Sequence, residues 1–212
     1  MRAIVFINGI IDDYAPLKAW ITADDYLVGA DGGTRHCLAL GCRPHVIVGD
    51  LDSLEEDVVE QLQTQGTLID RHPAAKNHTD LELAIMRAID DGCIEIVLMG
   101  ALGGRLDQIM GNLLMLGRND WLVPIKLVEG SQVAQLMQGP ETLTLYGTVG
   151  NFLSVMPLSD TVTGITYDDG LVYPLDNATL PFGSSRGISN EFAKPMATIE
   201  MQSGKLMVIQ TL

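Results

Sequence analysis

Up to about residue 128 the chain repeats one alternation: an apolar run of three to six residues, then a longer stretch whose apolar residues recur at helical spacing. The runs are 3–7, 27–30, 46–48, 67–69 and 94–99, with 125–128 a sixth. Between them, 54–65, 81–89 and 106–116 read as amphipathic helices, Leu81, Ala84, Ile85, Ala88 and Ile89 marking one face, and 34–40 as a shorter one. Strands that alternate with crossover helices predict an α/β fold with a mostly parallel sheet.

From about Gly130 the texture changes. Gly, Pro, Thr and Ser punctuate short alternating runs at 141–145, 151–156, 162–167 and 205–210, which predict antiparallel β structure. We therefore expect two domains, an α/β unit at 1–130 and an all-β, sandwich-like unit at 131–212. A β unit of that size buries only about 60% of the surface its unfolded chain exposes, so packing against the first unit or a second subunit is expected.

Charge narrows the partners. Thirteen Lys and Arg face 27 Asp and Glu, a net charge of −14 at pH 7, and no basic cluster is interleaved with aromatics, which argues against a nucleic-acid partner. No apolar run approaches the roughly 18 residues needed to span a bilayer, and 3–7 is too short for a signal-peptide core of about 7 to 15 residues. Cys37, Cys42 and Cys93 are odd in number and form no CxxC pair, so neither a disulfide framework nor a thiolate zinc site is expected. A cytoplasmic protein without a membrane anchor is the expectation.

Ligands of open α/β sheets bind at the carboxyl ends of the strands. There the chain places Asp31-Gly32-Gly33, Gly49-Asp50-Leu51-Asp52-Ser53, Lys76-Asn77-His78-Thr79-Asp80 and Gly100-Ala101-Leu102-Gly103-Gly104-Arg105-Leu106-Asp107. A lone Asp after a strand is an ordinary turn former or helix cap. In Asp50-Leu51-Asp52, however, an extended backbone would turn both carboxylates to one side. Acids gathered on one rim repel unless a cation neutralises them, and oxygen ligands without Cys suit Mg²⁺ or Mn²⁺ with a phosphorylated substrate.

Gly32-Gly33 and Gly103-Gly104 each join a strand to a helix, where backbone N–H groups can approach phosphate oxygens. Arg105 and Lys76 are the cations assigned to polyphosphate. Neither a Walker A motif nor a GxGxxG fingerprint is present. His36, His45, His72 and His78 lack metal-ligand spacing and read as solvated or internally satisfied.

Taken in order, Ala30-Asp31-Gly32-Gly33, Gly49-Asp50-Leu51-Asp52-Ser53, Thr79-Asp80-Leu81-Glu82, Gly103-Gly104-Arg105-Leu106-Asp107 and Ser185-Arg186-Gly187-Ile188-Ser189-Asn190-Glu191-Phe192 resemble the motifs of the thiamine pyrophosphokinase family. The resemblance implies an ATP-binding α/β domain, a thiamine-binding β-sandwich and a homodimer with thiamine sites at the subunit interface. It implies transfer of pyrophosphate from ATP to thiamine, with AMP and thiamine diphosphate as products. On that carry-over Asp50, Asp52, Asp80 and Asp107 surround Mg²⁺ and the polyphosphate and form the catalytic set. Asp31, Gly32, Gly33, Lys76, Arg105, Gln108 and Asn112 serve ATP, and Ser185, Ser189 and Asn190 serve thiamine. Asp80 or Asp107 could accept the proton of thiamine's hydroxyl.

Two other classes compete. A strand followed by DxD also opens haloacid-dehalogenase-like phosphatases, where Asp50 would be the nucleophile and Asp52 the acid. A non-catalytic nucleotide or thiamine sensor would keep the fold without turnover.

Overall fold

The computed structural model describes residues 1–75, 77–118 and 121–212. The chain divides into two compact units, Met1–Met115 with Trp121–Gly130, and Ser131–Leu212 with a short stretch beginning at Leu116.

In the first unit β1 (Arg2–Phe6), α1 (Ala15–Lys18), β2 (Tyr26–Ala30), a 3₁₀ turn (Asp31–Gly33), α2 (Thr34–Ala39), β3 (Val46–Gly49), α3 (Glu56–Thr64), β4 (Leu68–Arg71), α4 (Asp80–Asp90), β5 (Glu95–Met99), α5 (Leu106–Arg118) and β6 (Ile125–Glu129) follow one another. The strands pair in parallel in the order β6-β5-β1-β2-β3-β4. Residues 3–6 and 46–48 are fully buried, as apolar strands covered on both faces must be. β4 differs: Leu68 is 55% exposed, so this strand is an edge. The start of β1 is tied down through Asp25, which accepts Arg2 Nε (2.8 Å), Arg2 Nη2 (2.8 Å) and the Thr22 N–H (2.7 Å). Burial pushes the Asp25 carboxyl up, but those bonds outweigh it and hold the group below the usual carboxylate range.

The second unit contains β7 (Gln132–Gln138), β8 (Glu141–Tyr146), β9 (Phe152–Pro157), β10 (Thr161–Tyr167), β11 (Ala178–Pro181), β12 (Asn190–Glu191), β13 (Met196–Met201) and β14 (Lys205–Thr211). Strands β12-β9-β14-β7 and β11-β10-β13-β8 form two antiparallel layers. Leu145, Leu153, Val155, Val162, Ile165, Ala197, Ile199, Leu206 and Val208, drawn from both layers, make one buried cluster, the core of a sandwich. The α/β-then-sandwich expectation is met. Not anticipated were α1, β7, β11, β12 and β13; Gln132–Gln138, for instance, mixes Gln with both apolar faces and shows no clean alternation.

Candidate functional site

The acidic edge is built where β2 and β3 end. Asp31 follows β2 in a left-handed backbone (φ 45°) and is buried, with 8% of its surface exposed. Among the described residues its Oδ1 has no hydrogen-bond partner. Just beyond β3, Leu51 is also left-handed (φ 67°) and buries its side chain among Ile47, Val59 and Leu62. The extended backbone expected for Asp50-Leu51-Asp52 is therefore corrected. A turn, closed by the Asp52 N–H donating to Asp50 Oδ1 (3.3 Å), drives Leu51 inward and leaves both carboxylates at the rim. One carboxylate oxygen from each of Asp31, Asp50 and Asp52 lies within 4.8 Å of the others. Left-handed non-glycine residues cost of order 1–3 kcal/mol and persist where surrounding structure imposes them.

Gly49 explains how Asp80 joins this edge. A Cβ placed there would lie 3.0 Å from Asp31 Cβ and 3.0 Å from Asp80 Oδ1, so Asp80, the first residue of α4, sits against the same strand end. Thr79 caps that helix by accepting the Glu82 N–H (3.2 Å). A buried carboxylate with two further acids within reach fits a cation: without one, each charge raises the cost of the others. All donors are oxygen, the set a hard divalent ion prefers.

Asp107 is not one of the three acids that lie within 4.8 Å of one another. Both it and Arg105 are exposed, and Arg105 holds it through Nη2 (2.6 Å) and Nε (3.2 Å), which keeps the Asp107 carboxyl below its ordinary range. Along α5, Gln108 is exposed, whereas Asn112 donates Nδ2 to Ala101 O (3.1 Å) and so braces the glycine loop from below. That loop is zipped to the one after β1: the N–H groups of Gly9 and Ile10 donate to Gly100 O (2.8 Å) and Leu102 O (3.0 Å). Gly32 packs on Asn8, and Gly33 closes onto the Phe6 carbonyl, so both glycines serve close approach. Lys76 falls outside the described residues.

The four histidines are engaged as expected. His36, buried, bonds Tyr14 Oη (2.7 Å) through Nδ1 and Gly9 O (2.9 Å) through Nε2. His45 Nδ1 accepts the Leu27 N–H (2.9 Å), and His72 and His78 lie against Asp70 (3.1 Å) and Glu82 (3.2 Å). The three thiols are free, and burial pushes that of Cys37 up to about 12.

In the second unit a cavity of about 440 Å³ is lined by Tyr167, Tyr173, Pro174, Leu175, Arg186, Ile188, Ser189 and Asn190. Ser189 is left-handed (φ 62°) and donates its N–H to Ser154 Oγ (3.0 Å). Of the three residues expected to meet thiamine, Ser189 and Asn190 reach this wall, while Ser185 is exposed outside the lining. Tyr167, Tyr173 and Arg186 were not singled out from the sequence. In a chain with only 5% aromatics, two tyrosines six residues apart beside Pro174 were the available signal.

Comparison with known proteins bears on both units. The thiamin pyrophosphokinase catalytic-domain family matches residues 17–123, and the thiamin pyrophosphokinase vitamin B1 binding-domain family matches 140–206. A thiamine pyrophosphokinase of Bacillus subtilis is 28% identical over 213 residues, covering 100% of this chain and 99% of the relative. The crystal structure of a thiamin pyrophosphokinase from Geobacillus thermodenitrificans superposes with a TM-score of 0.83 at 33% identity, covering 100% of this chain and 98% of the other. That of the Bacillus subtilis protein gives 0.86 at 25% identity, with coverage of 100% and 99%. None of these relatives is named as a phosphatase or a sensor. With both domain families matched in order, and the fold shared along its full length, the chain belongs to the thiamine pyrophosphokinase family of enzymes.

Proposed function

We propose that this enzyme moves the pyrophosphoryl group of ATP onto the hydroxyethyl oxygen of thiamine, releasing AMP, with the first unit (1–130) holding ATP and the second (131–212) holding thiamine. The convergence of Asp31, Asp50 and Asp52, the first of them buried, at the ends of β2 and β3 carries the reading. Those three acids, with Asp80 beside them, would hold Mg²⁺. Bound there, the ion would offset polyphosphate charge.

The chain's own groups supply the rest. Arg105, exposed at the rim, exchanges Asp107 for a phosphate and steadies negative charge on the transferred group. Gly32, Gly33, Gly103 and Gly104 keep backbone within reach of polyphosphate oxygens. Asp80, or Asp107 once Arg105 has turned to phosphate, accepts the proton of the attacking hydroxyl. Thiamine is a cation, and a net charge of −14 favours its approach. Gln108 and Asn112 act behind the loop, and Ser185 joins the thiamine site at its edge. Lys76 remains the second phosphate cation. A cytoplasmic homodimer completes the proposal; among the described residues no helix is long and apolar enough to cross a membrane.

The test is incubation of the purified protein with ATP, Mg²⁺ and thiamine, followed by chromatography with mass detection. AMP and thiamine diphosphate should appear together, only with both substrates and without EDTA. Nucleotide consumption without modified thiamine would overturn the acceptor, and no nucleotide consumption would overturn the proposed transfer.

A further inference from the structure

Asn190 is buried, and its amide is almost fully spent on the protein itself. Its Oδ1 accepts the Tyr173 N–H (3.0 Å) and the Glu191 N–H (2.9 Å), and its Nδ2 donates to Tyr173 O (2.8 Å). An amide offers two acceptor sites and two donor hydrogens, so three of four are used. Only one N–H is left for anything else.

The bonds have a recognisable geometry. Residues 171–173 run alongside 190–192: Leu171 bridges Phe192, and the Val172 N–H donates to Glu191 O (3.0 Å). The ladder ends there, because Pro174 has no N–H to extend it and Ser189 is left-handed with its N–H on Ser154 Oγ. The Asn190 side chain fills the gap, offering Tyr173 an N–H and a C=O as a peptide group would. Pro174 follows and restricts Tyr173 further, since the residue before proline is confined to extended conformations. Tyr173 thus has a fixed backbone and an exposed side chain, 61% accessible, that lines the cavity.

We infer that Asn190 is a positioning residue: it acts on the acceptor substrate through Tyr173, whose ring it holds as one wall of the cavity, and not through a contact of its own. This rests on the reading of that cavity as the thiamine site, and it differs from the direct contact that the family resemblance implies for Asn190.

The two roles separate in a double-mutant cycle on the full-length enzyme, with steady-state constants for thiamine and ATP. Asn190→Ala should raise the thiamine KM about 3- to 10-fold, the range that loss of one or two neutral hydrogen bonds spans, and leave the ATP KM unchanged. Tyr173→Ala should raise the thiamine KM at least as much. In the Tyr173→Ala background, Asn190→Ala should add less than about 2-fold, because the ring it positioned is gone. Asn190→Ser, which keeps a hydroxyl at the buried position but is too short to span to Tyr173, should reproduce the pattern if Asn190→Ala folds poorly. Fold-changes that multiply would overturn the inference and return Asn190 to a contact of its own. Failure of the wild-type enzyme to convert thiamine would overturn the reading of the cavity, and this inference with it.

Discussion

Arg105 grips Asp107 two residues further along, Nη2 to Oδ2 at 2.6 Å and Nε to Oδ1 at 3.2 Å, so the strongest charges of the second glycine loop face each other. Both side chains are well exposed, 71% and 66%, and an exposed pair contributes little to folding. The guanidinium is therefore available for exchange onto phosphate. Arg105→Gln should raise the ATP KM roughly 10-fold or more, the scale of a lost charge-assisted hydrogen bond, with the melting temperature unchanged. Added salt should weaken ATP binding in the wild type more than in the variant. An unaltered ATP KM would remove Arg105 from the phosphate site.

The acid triad makes opposite predictions for activity and stability. Asp50→Asn and Asp52→Asn should abolish metal-dependent transfer. Asp31→Asn should do so too, and it should raise the melting temperature of the metal-free protein, since an unpartnered buried carboxylate beside two others is repulsive. Mg²⁺ should stabilise the wild type by mass action, a shift that shrinks in each variant. Thermal unfolding with and without Mg²⁺ measures both effects, and near-normal turnover in all three variants would sink the metal assignment.

Close backbone packing at the loops predicts an unusual glycine. A Cβ on Gly9 would run into the carbonyl oxygens of Leu102 and Gly100, the same atoms that accept the Ile10 and Gly9 N–H groups. Gly9→Ala should therefore cost about 2–3 kcal/mol in urea unfolding, as overpacking against immovable atoms does. Gly41, left-handed at φ 76° with open space around it, is the control: there alanine pays only the conformational penalty, about 1–2 kcal/mol. Equal costs at the two positions would refute close approach as the reason for Gly9.

How far the sequence reveals this enzyme depends on the range of each interaction. Acids just after apolar runs mark the strand ends, so Asp31 and Asp50 could be found by position along the chain alone, and Asp80 by its place at the start of a helical stretch. Their grouping could not. It depends on the left-handed turn at Leu51, whose cause is the pocket formed by Ile47, Val59 and Leu62, and on a Gly49 that admits Asp80. Asp107 shows a short-range effect: its place after a glycine loop matches the other acids, but without ATP Arg105, two residues away, pairs with it. In the second unit the Asn190–Tyr173 pairing joins positions 17 residues apart through a side chain, which no hydrophobic period registers.

His36 gives the fold a pH dependence of known sign. Burial pushes its imidazole below the usual value near 6.5, the bond to Gly9 O opposes that, and the Arg35 charge adds to the lowering. The Gly9 carbonyl can only accept, so Nε2 carries the proton and neutral Nδ1 receives the Tyr14 O–H. Between the folded and unfolded values the unfolded chain binds a proton that the native state does not. Stability must therefore fall as pH drops below about 6.5, by at most about 1.4 kcal/mol per pH unit, and this loss ends once the folded value is passed. Above about 6.5 the contribution of His36 is complete and flat. Urea unfolding from pH 5 to 8 should show a shallower slope in His36→Gln, whose amide N–H can still reach for Gly9 O but does not titrate. Carboxylates titrating at the acid end affect both proteins alike, so the difference between the two curves isolates the histidine. Identical slopes would mean that folding does not shift the His36 imidazole, and a wild-type stability that falls as pH rises above about 6.5 would mean that the native state holds it protonated.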